Sequence, residues 1–195
     1  MAASFAASVI MGASVNAEII YDNTSGAVGP NGTVTGDSPA SGTSYEIGDV
    51  VAFGGTARTL TDWSFEYNIT SASGGNETLQ AFLRALDGPG GSPGSILWDS
   101  GVQSVPTGSH TFGGTGLSLN VPEQLAWTVV FGGIDAGETS GLYFYTGPTV
   151  GTSPNFDTGT GTLVNPPAGQ DFYYRANGTG WEVVTTANLD NLGAR

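Results

Sequence analysis

Two aromatic triplets are the residues best suited to bind a ligand. On a strand, successive side chains alternate between faces, so at least one ring of each triplet must point away from the core. An exposed cluster of rings could stack on sugars, whereas cross-strand packing or cover by a loop is the alternative. We expect Phe144 and Tyr173 to be the outward rings. The six candidates are Tyr143, Phe144, Tyr145, Phe172, Tyr173 and Tyr174.

Acidic side chains in turn-like stretches are candidate ligands for Ca²⁺, which prefers hard oxygen donors. The sequence contains no regular calcium-loop motif, and aspartate is also a common turn residue. Turn formation is therefore the competing interpretation. The candidates are Asp87, Asp99, Asp135 and Glu138.

The sequence offers few residues that are arranged for catalysis. The single histidine, His110, lies in a turn-like stretch without an identifiable partner. Gly90–Gly94 matches a nucleophile-elbow pattern, but that motif needs a strand, a tight turn and a helix, and the flanking residues predict an irregular loop. Asp62 and Glu66 would lie about 13 Å apart along a strand, too far for either glycosidase geometry. We therefore predict that the protein is not an enzyme and that it has no cofactor, apart from the Ca²⁺ considered above.

The charge balance excludes two classes of partner. The formal net charge is −13, with no lysine and four arginines. Nucleic acids and anionic lipid surfaces require clustered cations, so neither is an expected partner. The chain also has no cysteine, which excludes disulfides and thiolate metal sites.

The first 17 residues resemble a secretory signal. Ala2–Ala17 is small and apolar throughout, and Val15-Asn16-Ala17 offers small residues before a cleavage point. The basic segment that usually precedes such a run is missing, which a truncated signal would explain. A buried N-terminal strand or helix is the alternative interpretation. This run is too short to span a bilayer. We expect a secreted or cell-surface protein without a membrane-spanning segment.

The remainder reads as short strands separated by turns. Trp63, Phe65, Tyr67 and Ile69 alternate with polar residues, which predicts a strand with one buried face. The spacing of the apolar residues in Thr78–Leu86 also fits a helix. We interpret this stretch as a strand that is partly covered on both faces. The other predicted strands are Tyr45–Phe53, Ser95–Asp99, Leu117–Val121, Leu125–Phe131, Gly141–Tyr145, Phe172–Ala176 and Trp181–Val184.

Strands at this spacing predict an all-β fold, an antiparallel jelly-roll-like β-sandwich. We place one domain over residues 18–184 and a C-terminal tail over 185–195. Asn23–Ser44 and Pro154–Gly169 are predicted to be long loops because they are rich in Gly, Pro, Ser, Thr and Asn.

Seven stretches of the sequence carry a family resemblance: Ile20–Asn23, Gly48–Asp49, Gly54–Leu60, Phe65–Tyr67, Phe82–Gly101, Trp127–Val129 and Gly147–Gly151. Together they resemble uncharacterised exported bacterial proteins whose precursors often carry a PEP-CTERM sorting signal. The resemblance extends from Ile20 to Val184 and implies a secreted β-sandwich at the envelope or extracellular matrix, with no catalytic residues to transfer. The sorting signal itself is not found in this chain.

Three functions stay open at this point. The first is a non-catalytic cell-surface or matrix protein associated with polysaccharide. The second is a carbohydrate-binding module with an aromatic platform, with or without Ca²⁺. The third, ranked last, is a glycan-active enzyme.

Overall fold

The computed structural model describes residues 17–24, 33–35, 37–38, 43–70, 75–146, 148–153, 155–157, 162–164, 171–176, 178, 180–185, 190–192 and 194–195, in places by backbone alone. These residues form strands and one short 3₁₀ helix, Pro89–Gly91. The strands are β1 (Thr33–Thr35), β2 (Asp37–Ser38), β3 (Thr43–Ala52), β4 (Thr59–Leu60), β5 (Trp63–Thr70), β6 (Thr78–Arg84), β7 (Ile96–Asp99), β8 (Gln103–Ser104), β9 (Gly108–Gly114), β10 (Leu119–Asn120), β11 (Gln124–Gly132), β12 (Thr139–Thr146), β13 (Asn155–Asp157), β14 (Thr162–Val164), β15 (Asp171–Ala176), β16 (Glu182–Thr185) and β17 (Asp190–Leu192).

Two antiparallel sheets pack against each other. The front sheet has the order β1-β12-β5-β9, with β17 also paired to β12. The back sheet has the order β16-β15-β3-β11-β6-β7, with β2 and β8 attached to β3 and β6. The short pairs β4–β10 and β13–β14 complete the described strands. The prediction of an all-β antiparallel sandwich is confirmed.

One hydrophobic core joins the two sheets. On β5, Trp63, Phe65, Tyr67 and Ile69 are buried while the residues between them are partly exposed, which confirms the predicted alternation. The rings of β5 meet those of the back sheet, and the Tyr67 and Phe131 centroids are 6.3 Å apart. Burial of such large rings removes the most apolar surface from water and supplies most of the force that joins the sheets.

The central strands of the back sheet are covered on both faces. Leu79, Ala81 and Leu83 of β6 belong to the main core, and the alternating residues Phe82 and Arg84 are also buried. The predicted stretch Thr78–Leu86 therefore forms a strand over Thr78–Arg84 rather than a helix. On β3, Glu46 and Val50 are buried although each precedes a core-facing residue, Ile47 and Val51. A strand covered on both faces loses the alternating pattern, which explains its ambiguity in the sequence.

Three sequence predictions are wrong. The stretch Asn23–Ser44 contains β1 and β2 as well as the first residues of β3, and Pro154–Gly169 contains the paired strands β13 and β14. The predicted tail is part of the fold, because β17 pairs with β12 and Ala194 forms a bridge to Phe65. Leu192 and Ala194 are buried, so this segment gains apolar burial that a solvated tail would lack.

The segment that follows Ala17 is packed against the sandwich. Ile20 and Tyr21 are buried, and the Gly54 amide donates to the Ile20 carbonyl oxygen at 2.7 Å. The Asn23 amide donates to the Ala194 carbonyl oxygen at 2.9 Å, so both ends of the described chain meet. Residues 1–16 of the predicted signal lie outside the described residues.

Candidate functional site

A concavity of about 400 Å³ opens along one side of the sandwich, and we call it the edge groove. Strand β9, the last strand of the front sheet, forms one wall; β7, β8 and the segment after β8 form the other. Its lining combines aromatic rings with hydroxyl and amide groups. These side chains are Tyr67, Trp98, His110, Phe112, Ser100, Gln103, Ser104 and Thr111.

The core holds the two large rings of the edge groove in place. Trp98 packs edge-on against Trp63, with centroids 5.5 Å apart and planes at 88°. Phe112 packs against Phe65 at 5.7 Å. Both groove rings are only half-buried. Rings fixed from behind lose little conformational freedom when a ligand stacks on their free faces.

His110 lies on strand β9, so its predicted place in a turn is wrong. It pairs in register with Tyr67 of β5, and their ring centroids are 5.9 Å apart. Its Nε2 is 2.9 Å from the Thr107 carbonyl oxygen, and within the described residues it has no carboxylate or hydroxyl partner. Burial raises the pKa of Tyr67, whose hydroxyl donates to the Pro106 carbonyl oxygen at 3.3 Å. His110 therefore borders the edge groove as an exposed ring anchored through one nitrogen.

A second cavity, of about 300 Å³, lies at the end of the sandwich where the described chain begins and ends, and we call it the terminal pocket. Ala17–Tyr21 and Ala194–Arg195 form part of its wall. Its apolar lining includes Phe53, Trp63 and Trp127. Three charged side chains also line this pocket, those of Glu18, Asp62 and Arg195. The segments that line this pocket are distant in sequence, so no single sequence motif predicts it.

The predicted aromatic triplets do not form one platform, because they lie on different sheets. Tyr143 and Tyr145 belong to β12 of the front sheet and are on its outer face with Glu66 and Asn68. Asn68 Nδ2 donates to the Tyr143 hydroxyl at 3.3 Å, and the Tyr145 hydroxyl donates to the Glu66 carboxylate. Tyr145 is only 4 % exposed, so its ring is unavailable for stacking.

Tyr143 and Tyr145 are therefore on the outer face of the front sheet. Burial raises the pKa of Tyr145, and the bond to the Glu66 carboxylate raises it further. The backbone of Phe172, Tyr173 and Tyr174 lies on β15 of the back sheet. The side chains of these three residues and of Phe144 lie outside the described part.

The candidate calcium ligands hold turns instead of converging. Asp87 accepts from the Ser95 amide and hydroxyl, both at 2.6 Å, and Asp99 accepts from the Gly101 amide at 2.7 Å. Glu138 Oε2 accepts from the Asp135 amide at 2.8 Å. Among the described residues, no group of three or more acidic or histidine side chains could hold a metal ion.

The remaining catalytic candidates are also separated. Asp62 is exposed in the segment between β4 and β5, where its Oδ1 accepts from the Gly116 amide at 3.3 Å. Glu66 lies on the outer face of β5 and bonds Tyr145. The stretch Gly90–Gly94 overlaps the 3₁₀ helix between β6 and β7 and is followed by a strand.

Sequence reasoning missed a buried ionic cluster on the outer face of the back sheet. The Glu46 carboxylate accepts from Arg84 Nε at 2.7 Å, from Arg175 Nε at 2.8 Å and from the Thr128 hydroxyl at 2.5 Å. Both guanidinium groups also approach the ring of Trp181, at 5.8 and 4.6 Å. Two of only four basic residues are thus used inside the fold, which leaves the surface more acidic.

The described residues define a β-sandwich with an aromatic edge groove and a terminal pocket. Comparison of the chain with protein-family models, curated proteins and solved structures finds no match. None of the described residues forms a helix with the length and apolar character needed to cross a bilayer.

Proposed function

We propose that this chain is an exported, non-catalytic protein of the cell surface or extracellular matrix that binds polysaccharide in its edge groove. One observation carries the binding part: Trp98 and Phe112 present partly exposed rings beside amide and hydroxyl groups. Ring faces cover the apolar face of a sugar, and the neighbouring polar groups can bond its hydroxyls. Export rests on the apolar segment up to Ala17 and on the resemblance to exported bacterial proteins.

The charge of the protein narrows the class of polysaccharide. A net charge of −13 repels anionic polymers such as uronate chains, particularly at low salt. Among the described residues that line the edge groove, His110 and Tyr67 are the only ionisable side chains. The expected ligand is therefore a neutral or amino-substituted polysaccharide, not an acidic one.

A glycan array in buffer with and without EDTA tests this function. Wild-type protein should bind at least one neutral or amino-containing glycan, with equal signal in EDTA because the groove offers no cation site. Trp98→Ala should weaken binding about tenfold, the loss of roughly 1.4 kcal/mol of ring contact.

Ile96→Ala is the matched control, because Ile96 lies on the same strand, is half exposed and does not line the groove. It should bind as wild type does. Absence of glycan binding by wild-type protein, or unchanged binding by a folded Trp98→Ala variant, would refute the edge groove as a sugar site. Loss of binding in EDTA would instead favour a Ca²⁺-dependent site elsewhere.

A further inference from the structure

The terminal pocket opens from the surface of the protein and reaches the buried core. Val51, Leu83, Leu125 and Trp127 of the back sheet and Trp63 of the front sheet form its apolar lining, and all five are buried. Protein interiors leave few voids larger than a water molecule. An apolar cavity of about 150 Å³ is enough to accept benzene; this one has about twice that volume and reaches the range of ligand sites.

The wall near the chain ends is held by backbone hydrogen bonds, so the cavity does not depend on loose side chains. Ser64 and Arg195 exchange two bonds, at 2.6 and 2.7 Å. Gly54 donates to the Ile20 carbonyl oxygen on the other segment. A pocket that is formed before the ligand arrives avoids the cost of ordering its walls on binding.

The aromatic side chains that line the terminal pocket indicate which apolar group a ligand would place in it. Rings of Tyr21, Phe53, Trp63 and Trp127 all border the cavity. Aromatic walls favour a flat apolar ring system, which can pack edge-on or offset against them. The best-fitting body is a bicyclic aromatic group or one of similar size.

The charged groups that line the terminal pocket indicate which charge the ligand would carry. Glu18 and Asp62 are exposed carboxylates on this lining, and among its described side chains Arg195 is the one cation. Arg195 lies 3.8 Å from Asp22, a partner that offsets its charge. The lining groups therefore sum to a negative charge within a strongly negative protein, which attracts cations and repels anions.

We propose that the terminal pocket binds a small molecule with an apolar aromatic body and a protonated amine, the body lying in the cavity and the amine beside Glu18 and Asp62. This site is separate from the edge groove, and its ligand is a different chemical class from a glycan. The proposal does not depend on the glycan function.

Three probes that share a naphthalene ring but differ in charge separate the contribution of the aromatic ring to the affinity from the contribution of the charge. They are 2-(aminomethyl)naphthalene, 2-(hydroxymethyl)naphthalene and 2-naphthoate, which are cationic, neutral and anionic at neutral pH. Titration into ¹⁵N-labelled protein is followed through the indole N–H signals, because the chain has four tryptophans. The naphthalene ring current should shift the signals of Trp63 and Trp127, which line the pocket, more than those of Trp181 and of Trp98, which packs on Trp63.

The expected order of affinity is amine, then alcohol, then carboxylate, with about a tenfold difference between the two ends. Asp62→Asn should weaken the amine about threefold and leave the alcohol unchanged. Asp135→Asn, which removes one charge from a turn that does not line the pocket, should leave all three affinities within about twofold. Leu83→Phe, which enlarges a buried lining residue, should weaken all three probes.

Several results would overturn the site. Absence of shifts at Trp63 and Trp127 with every probe would refute the pocket. A carboxylate that binds as tightly as the amine would refute the assigned charge. Unchanged affinity in a folded Leu83→Phe protein would place the probes elsewhere. If Leu83→Phe does not fold, the paired comparison of Asp62→Asn with Asp135→Asn still decides whether the pocket selects a cation.

Discussion

Phe65 and Trp127 stack across the interior of the sandwich, with ring centroids 5.1 Å apart and planes 27° apart. Phe65 belongs to β5 of the front sheet and Trp127 to β11 of the back sheet, and neither is more than 1 % exposed. This contact joins the sheets midway between the edge groove and the terminal pocket, because Phe65 packs on Phe112 and Trp127 lines the pocket. The edge groove and the terminal pocket are therefore both packed against this pair, the first through Phe65 and the second through Trp127.

The Phe65→Ala variant should lower the free energy of unfolding by about 3–5 kcal/mol, because it removes a buried ring and leaves a cavity at the junction of the sheets. Urea denaturation followed by tryptophan fluorescence measures this loss. Phe112→Ala is the control, because Phe112 is only partly buried whereas Phe65 is fully buried. Equal losses for the two variants would show that the stack does not join the sheets.

Removal of the Glu46 charge should destabilise the back sheet. In Glu46→Gln, Arg84, which is 6 % exposed, loses its counter-charge, and we expect a loss of about 3–5 kcal/mol in unfolding free energy. Chemical denaturation measures it at neutral pH. Glu123→Gln, on an exposed glutamate, should change stability by less than about 0.5 kcal/mol. A small effect at Glu46 would mean that water reaches the two arginines.

The turn that Asp87 holds should weaken in acid. The Ser95 hydroxyl and amide lower the pKa of Asp87 below its ordinary 3.8. A lowered carboxyl pKa contributes stability above the unfolded-state pKa, and this contribution is lost as the pH falls through the folded-state value. Asp87→Asn should therefore melt slightly below wild type at pH 7 and together with it at about pH 2. A difference that persists in acid would contradict a charge-based role.

Gly48 on β3 should not tolerate a side chain. A Cβ at this position would overlap the carbonyl oxygen of Trp127 on the neighbouring strand β11. Gly48→Ala should cost about 1–3 kcal/mol or more in unfolding free energy, since overpacking displaces the backbone. Gly180→Ala, where a Cβ would meet open space, is the matched control and should be nearly neutral. Similar melting temperatures for both variants would contradict this account of the strand packing.

Sequence reasoning identified elements whose burial pattern was regular. The alternation along β5 was visible because one face meets the core and the other meets solvent. Strand β9 was missed because it is an edge strand that is rich in glycine and mostly exposed. Its hydrophobic residues therefore do not alternate with polar ones in the sequence. Strand β17 was missed because three residues are too few for any pattern, although Leu192 within it is fully buried.

The candidate sites were harder to foresee than the strands. The aromatic triplets were conspicuous in the sequence, but conspicuous rings such as Tyr145 are buried. The edge groove instead combines Trp98 with Phe112 and His110, which belong to opposite sheets and look ordinary by themselves. The terminal pocket unites segments from both ends of the chain, and only the sheet register shows that these segments meet.

The hydrogen bond between Asn23 and Ala194 places both ends of the described chain beside one cavity. A short peptide linker could therefore connect residue 195 to residue 17, and new termini could be opened at Gly137 in the exposed turn before β12. Such a circular permutant would keep every strand pairing of both sheets. It would also allow a reporter protein to be fused at the opposite end of the sandwich from the pocket, where it would not obstruct entry.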